Sequence, residues 1–188
     1  ANPMVFVTGE DMRIDVGASP KEIELKSEEL RELEVIRSEA AIRLGMANSP
    51  AEATAESPTV PKVAVVGRAD SFITTEGEAV RSREVDLIVR LISMRRVHRT
   101  LAVTTAMSAA AAAQVSGTVV GRCVQEITGN TVRLGHPAGV LACDARVEQL
   151  AEGDWVVPEV SVSRTARLIM DGHVLIPYTC VSGKDRSG

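Results

Sequence analysis

The sequence predicts an α+β domain, with many strands, mostly antiparallel, around one or two helices. Three observations carry this reading. β-Branched and aliphatic runs such as residues 62–66 (KVAVV) recur along the chain. Only two stretches read as substantial helices: Leu33, Ile36, Ala40 and Leu44 recur at helical spacing, and residues 102–114 are Ala-rich. From Gly117 onward the chain returns to short strand patterns separated by turns, and no repeat of fixed period is present.

Taken in order, residues 4–8 (MVFVT) read as a short buried strand. Ser19-Pro20 reads as an N-cap followed by proline in the first helical turn. Ser27 reads as a better cap, with Glu28 and Glu29 placed where the helix dipole favours acids, and this helix is expected to end at Gly45. Residues 47–60 hold Pro, Ser, Ala and Glu without periodicity and are expected to form an exposed loop. Residues 62–66 suit a central strand, and 70–75 and 85–92 continue the strand pattern. The Ala-rich segment 102–114, with Met107, is a good helix former whose small side chains let it lie close to surrounding sheet. Further strands are expected at 118–120, 123–127, 131–134, 140–147 and 156–162, with a turn at Thr128-Gly129-Asn130. A short helix over 164–170 and a last strand over 174–176 complete the expectation, followed by a loose polar tail over 178–188.

The chain has 188 residues, which suits one medium domain with a single core. Aromatic residues are only 2%, so the core must be aliphatic and there is little to stack nucleobases. The net charge of −4 also argues against a nucleic-acid partner. The charge is uneven: residues 1–60 carry 6 basic and 12 acidic side chains, whereas 61–120 carry 8 and 5. Cys123, Cys143 and Cys180 make no CxxC pair and no zinc spacing, so no metal site is expected, and a reducing, cytoplasmic location fits them. No signal peptide and no membrane-crossing apolar run is read. The opening Ala1-Asn2-Pro3 runs straight into a strand, as a cut inside a longer protein would.

The segment from Arg90 to Thr100 packs Arg90, Arg95, Arg96 and Arg99 with Ser93, Met94 and His98, and Thr104-Thr105 follow at the expected start of the Ala-rich helix. A helix N-terminus offers unpaired N–H groups and partial positive charge, and arginines add bidentate donors. The pattern suits an anion site for a small polycarboxylate; a solvated basic edge strand has the same composition. Gly135-His136-Pro137-Ala138-Gly139 forces a tight, backbone-exposed turn, either an ordinary hairpin or a donor site using His136. Arg164-Thr165-Ala166-Arg167 reads as a structural ion pair or as a contact to substrate or to another domain. No hydrolase triad, P-loop or dinucleotide fingerprint is present.

Read together, these segments resemble the second half of the PrpF, or 2-methylaconitate cis–trans isomerase, family. The ordered set runs from Ala1–Val7 through residues 33–41 and Lys62–Val66 to Asp86–Arg90, Ser93-Met94, His98 and Thr104. It continues with Gly117-Thr118-Val119, Gly135-His136-Pro137, Arg164–Arg167, Gly172, Val174 and Pro177. The resemblance implies a fold like diaminopimelate epimerase: two similar domains, each a barrel-like sheet around a central helix, here residues 102–114. In that fold the final strand can return to the first domain, so the chain near 174–177 would cross over. The resemblance further implies cofactor- and metal-free isomerisation of small unsaturated di- and tricarboxylates by proton transfer in the cleft between the halves. The family's lysine and cysteine acid/base candidates lie in the first half, so none is assigned here. Arg90, Ser93, Met94, His98, Thr104, Thr105 and His136 are carried over as substrate-binding residues. The implied partners are the substrate and the N-terminal domain, with self-association as a further expectation. Arg95, Thr105 and Ala138 depart from the family pattern, which leaves a non-catalytic metabolite-binding or assembly domain as the alternative.

Overall fold

The computed structural model describes residues 2–124, 127–163 and 167–176. Its elements are, in order, β1 (Met4–Thr8), α1 (Pro20–Glu24), α2 (Ser27–Arg43), α3 (Pro50–Glu56), β2 (Lys62–Arg68), β3 (Phe72–Ile73) and β4 (Ala79–Val80). Then come β5 (Leu87–Ser93), β6 (Arg96–Val97), α4 (Val103–Gln114), β7 (Thr131–His136), β8 (Gly139–Gln149) and β9 (Trp155–Ser161). One sheet runs β1-β2-β5-β7-β8-β9, with β6 also paired to β5, and β3 and β4 form a separate hairpin. The β1–β2 and β5–β7 pairs are parallel and the other pairs described are antiparallel, so the sheet is mixed.

Period-2 alternation sends the two faces of this sheet to different cores. Ala64 and Val66 of β2, with Leu87, Val89 and Leu91 of β5, pack on α4. Val132 and Leu134 of β7 and Cys143 and Ala145 of β8 join the same core. The neighbours Val63, Val65 and Ile92 point the other way, onto Ile23 of α1 and Leu30 and Leu33 of α2. The sheet can curl tightly around α4 because that helix presents Ala106, Ala109, Ala110 and Ala113, all buried.

Several expectations need correction. Residues 47–60 are not all loop, because α3 forms within them. Ser49 caps it by accepting the Glu52 N–H, and Arg37 of α2 donates to the Ala53, Ser57 and Val60 carbonyls near its end. Ser27 is the first residue of α2 rather than its side-chain cap. The strand expected over 70–75 shrinks to Phe72–Ile73. Residues 118–120 form a turn because the Thr118 hydroxyl bonds back to the Ala112 and Val115 carbonyls, and Gly121–Cys123 is a short 3-10 turn. Residues 167–170 are not helical and 174–176 pair with no described strand. Residues 164–166 and the tail over 178–188 lie outside the described part.

Gly9 has no room for a side chain: a Cβ there would lie 2.5 Å from the Ile14 carbonyl oxygen and 2.9 Å from a Val16 methyl. The oxygen is backbone and cannot swing aside. Gly9→Ala is expected to destabilise the domain by about 1–3 kcal/mol in urea unfolding.

Candidate functional site

The chemistry-bearing residues gather where β5 ends and α4 begins. Ser93 ends β5 on the face turned to α4, two residues past Leu91. Met94 and Arg95 then form the two-residue turn to β6, with φ of 50° and 60°. Consecutive left-handed residues are the geometry of a type I′ hairpin, which favours Asn-Gly, so Met-Arg holds it at a cost. The Met94 side chain is 62% exposed. Both turn residues line shallow clefts on the α2 side, about 300 Å³ against Glu24 and Leu30 and about 260 Å³ against Glu34 and Pro58.

His98 continues the β5–β6 ladder, its N–H donating to the Leu91 carbonyl at 2.8 Å, which sets it on the α4 face. Its Nδ1 lies 2.8 Å from the Thr100 carbonyl oxygen and 3.4 Å from the Thr100 nitrogen, and Nε2 has no hydrogen-bond partner among the described residues. Leu101 is buried and brings the chain into α4. Ala102 at the N-cap has no side-chain oxygen. The Ala106 N–H makes the first helical bond, to the Ala102 carbonyl, and no backbone acceptor among the described residues takes the N–H groups of Val103, Thr104 and Thr105. Thr105 is fully buried, and its hydroxyl has only the Met4 thioether, 3.7 Å away. The result is an uncapped helix N-terminus with Thr104 in its first turn and Ser93 and His98 on the sheet face turned to the helix, suited to holding a carboxylate, while Thr105 is buried away from a ligand.

Arg90 is elsewhere. It is 1% exposed and points away from α4, its guanidinium 5.0 Å from the Phe72 ring centroid. Its Nη1 donates to the Val89 and Gly135 carbonyls, bridging the place where β7 leaves the edge of β5. Burial lowers the guanidinium pKa to about 10, opposed by Asp15, so it stays charged at neutral pH. Nε is buried without a partner among the described residues.

His136 ends β7 and is half-buried. The Ala138 N–H donates to its Nδ1 at 3.2 Å, which places the proton on Nε2. Burial first, and the nearby Arg90 charge second, push its pKa down to about 4. Its folded value is below the ordinary 6.5, so its contribution to stability is present above pH 6.5 and is lost as pH falls towards 4. We expect a loss on the order of 1–2 kcal/mol across that window after allowing for solvent screening. Urea unfolding at pH 7 and pH 4.5 should show a smaller loss in His136→Gln than in the parent chain.

Two further clefts open at the opposite end of the sheet. One of about 480 Å³ is lined by Thr8, Asp11, Asp15, Arg68, Arg122 and Cys123 among others, and one of about 390 Å³ by Arg68, Arg83, Asp86 and Arg133. Arg133 is committed to Asp86 through a 2.6 Å ion pair. Burial raises the thiol pKa of Cys123 and takes that of Cys143 to about 11, so neither is a ready nucleophile. No group of three or more His, Cys, Asp or Glu side chains among the described residues is arranged to hold a metal ion. No helix among them is long and apolar enough to cross a membrane.

Comparison with known proteins decides the lineage: residues 1–177 match the PrpF protein family. The chain belongs to the PrpF family. It is 34% identical over 179 residues to a 3-methylitaconate isomerase of Eubacterium barkeri, which covers 94% of this chain and 46% of that protein. It is 33% identical over 175 residues to a 2-methyl-aconitate isomerase of Shewanella oneidensis, covering 93% and 44%. The crystal structure of methylitaconate-delta-isomerase superposes with a TM-score of 0.83 at 31% identity, over 100% of this chain and 48% of that one. The fold is therefore the diaminopimelate-epimerase-like fold of PrpF proteins, and the chain spans about half the length of the relatives it matches.

Of the residues expected from sequence, the register and the Met4–Thr105 contact put Ser93, His98, Thr104 and Thr105 at one pole, with Met94 in the hairpin turn. Arg90, expected with them, is turned to the other face by the strand pleat. The alternation of β1 and β2 brings Met4 and Lys62 to the face that meets α4.

Proposed function

We propose that this PrpF-family chain forms the second half of the active site of a cofactor-independent isomerase acting on small unsaturated di- or tricarboxylates such as 2-methylaconitate or 4-oxalomesaconate. The observation that carries this is the uncapped N-terminus of α4, with Ser93 and His98 on the sheet face turned to that helix. Backbone N–H groups and the helix dipole hold a substrate carboxylate there, and the partly exposed Thr104 orients it, with the buried Thr105 packed behind on Met4. A carboxylate so held draws electron density from the neighbouring allylic carbon, which favours proton removal. The groups that remove and return the proton are assigned to the other half of the protein, so this chain alone is expected to bind but not to turn over.

The partner for that half is suggested by the chain's own tail. Leu168, Ile169, Met170, Val174, Leu175 and Ile176 are 62–94% exposed in an unpaired, irregular segment. Such a stretch favours a neighbouring sheet or apolar face over water. We assign it to the N-terminal domain, with self-association of the isolated chain as the consequence when that domain is missing.

The three departures from the family pattern bear on the alternative, a domain that binds without chemistry. Arg95 lines a cleft beside Glu34, and Ala138 is an exposed turn residue. Thr105 alone lies in the first turn of α4. The test is the proton spectrum of the full-length protein with cis-aconitate, methylitaconate and related acids in deuterated water. Deuterium at an allylic carbon, or conversion between isomers, is expected; binding without exchange of any such acid would favour the alternative.

A further inference from the structure

We propose that Lys62 is a carboxylate-binding residue of this site, pairing with a second carboxylate of the substrate while the α4 N-terminus holds the first. The inference rests on the proposed function above and adds a substrate requirement to it. Lys62 begins β2 two residues before Ala64 and four before Val66, both fully buried against α4. The pleat therefore turns Lys62 to the same face. The register places it opposite Met4, whose sulfur touches the Thr105 hydroxyl at the start of α4. On its other side Val63 pairs with Ile92, so Ser93 is the next rung. A Lys one rung from both Thr105's contact and Ser93 is at the pole where the ligand is placed.

Its chemistry fits. Lys62 is half-buried, and no carboxylate among the described residues lies within ion-pair distance of it. Its backbone N–H is occupied by the Pro3 carbonyl, which fixes the strand end. An ammonium and a helix N-terminus at one pole repel each other until an anion arrives. A dianionic ligand satisfies both positive groups at once, which selects for di- and tricarboxylates over monocarboxylates.

The experiment uses the full-length protein with Lys62→Met and Lys62→Arg, folding checked by circular dichroism. Turnover is measured with the acid that the parent protein isomerises, and affinity by calorimetry with that acid and with its monocarboxylate analogue. Lys62→Met is expected to raise KM and Kd for the dicarboxylate by about 10- to 100-fold with kcat within a few-fold, and Lys62→Arg to recover most of the loss. For the monocarboxylate the parent and Lys62→Met should bind alike. Unchanged Kd for the dicarboxylate in Lys62→Met overturns the inference while leaving the isomerase reading intact. A kcat collapse with unchanged KM overturns it too, in favour of a role in proton transfer. If the parent binds the acid without turnover, the isomerase reading fails alone, and the calorimetric comparison still decides the role of Lys62.

Discussion

Arg90→Ala is expected to lower the stability of the domain by about 3–5 kcal/mol. The substitution removes a large, fully buried side chain packed on Phe72, and it strips the donor from the Val89 and Gly135 carbonyls. Those carbonyls line the break where the β5 edge passes from β7 to β6, so no strand can replace the guanidinium. Arg90→Met restores much of the volume without the donors and should recover part of the loss. Chemical denaturation of the three proteins measures this. If Arg90→Ala were as stable as its parent but failed to bind substrate, Arg90 would belong to the site after all.

His98→Ala is expected to do the reverse. His98 is exposed, and its imidazole contacts only the Thr100 backbone and hydroxyl, so its loss should leave the fold within about 0.5 kcal/mol. In the full-length enzyme it should lower kcat/KM by about 10- to 100-fold, the worth of one charge-assisted hydrogen bond to a carboxylate. Steady-state kinetics beside a thermal melt separates the two effects. A stable variant with unchanged kcat/KM would remove His98 from the site.

The contrast between these two residues shows how far sequence reaches. The strands were legible because β2 and β5 are aliphatic runs, and α4 because poly-alanine has one good conformation. The candidate site was legible in part because Ser93, His98 and Thr104-Thr105 lie within thirteen residues of one another in sequence. Arg90 is three residues before Ser93, an odd spacing, and the pleat sends it to the opposite face. Composition does not carry that parity; the burial of Leu91 and Val89 against α4 does. Helix α3 was illegible for a different reason. Its own residues have no apolar periodicity, and it is held by Arg37, which reaches its carbonyls from α2 with Glu34 fixing the guanidinium at 2.7 Å. The turn at 118–120 likewise depends on one hydroxyl, that of Thr118, overriding two β-branched neighbours.

The most direct test of the account is where a substrate lands on this half of the protein. Backbone amide shifts of the full-length protein, titrated with cis-aconitate or methylitaconate, locate it. The largest changes are expected at Val103, Thr104 and Thr105, with Ser93, His98 and Lys62 following. Shifts centred instead on Arg68, Arg83 and Arg122, in the roomier clefts at the opposite pole, would contradict it.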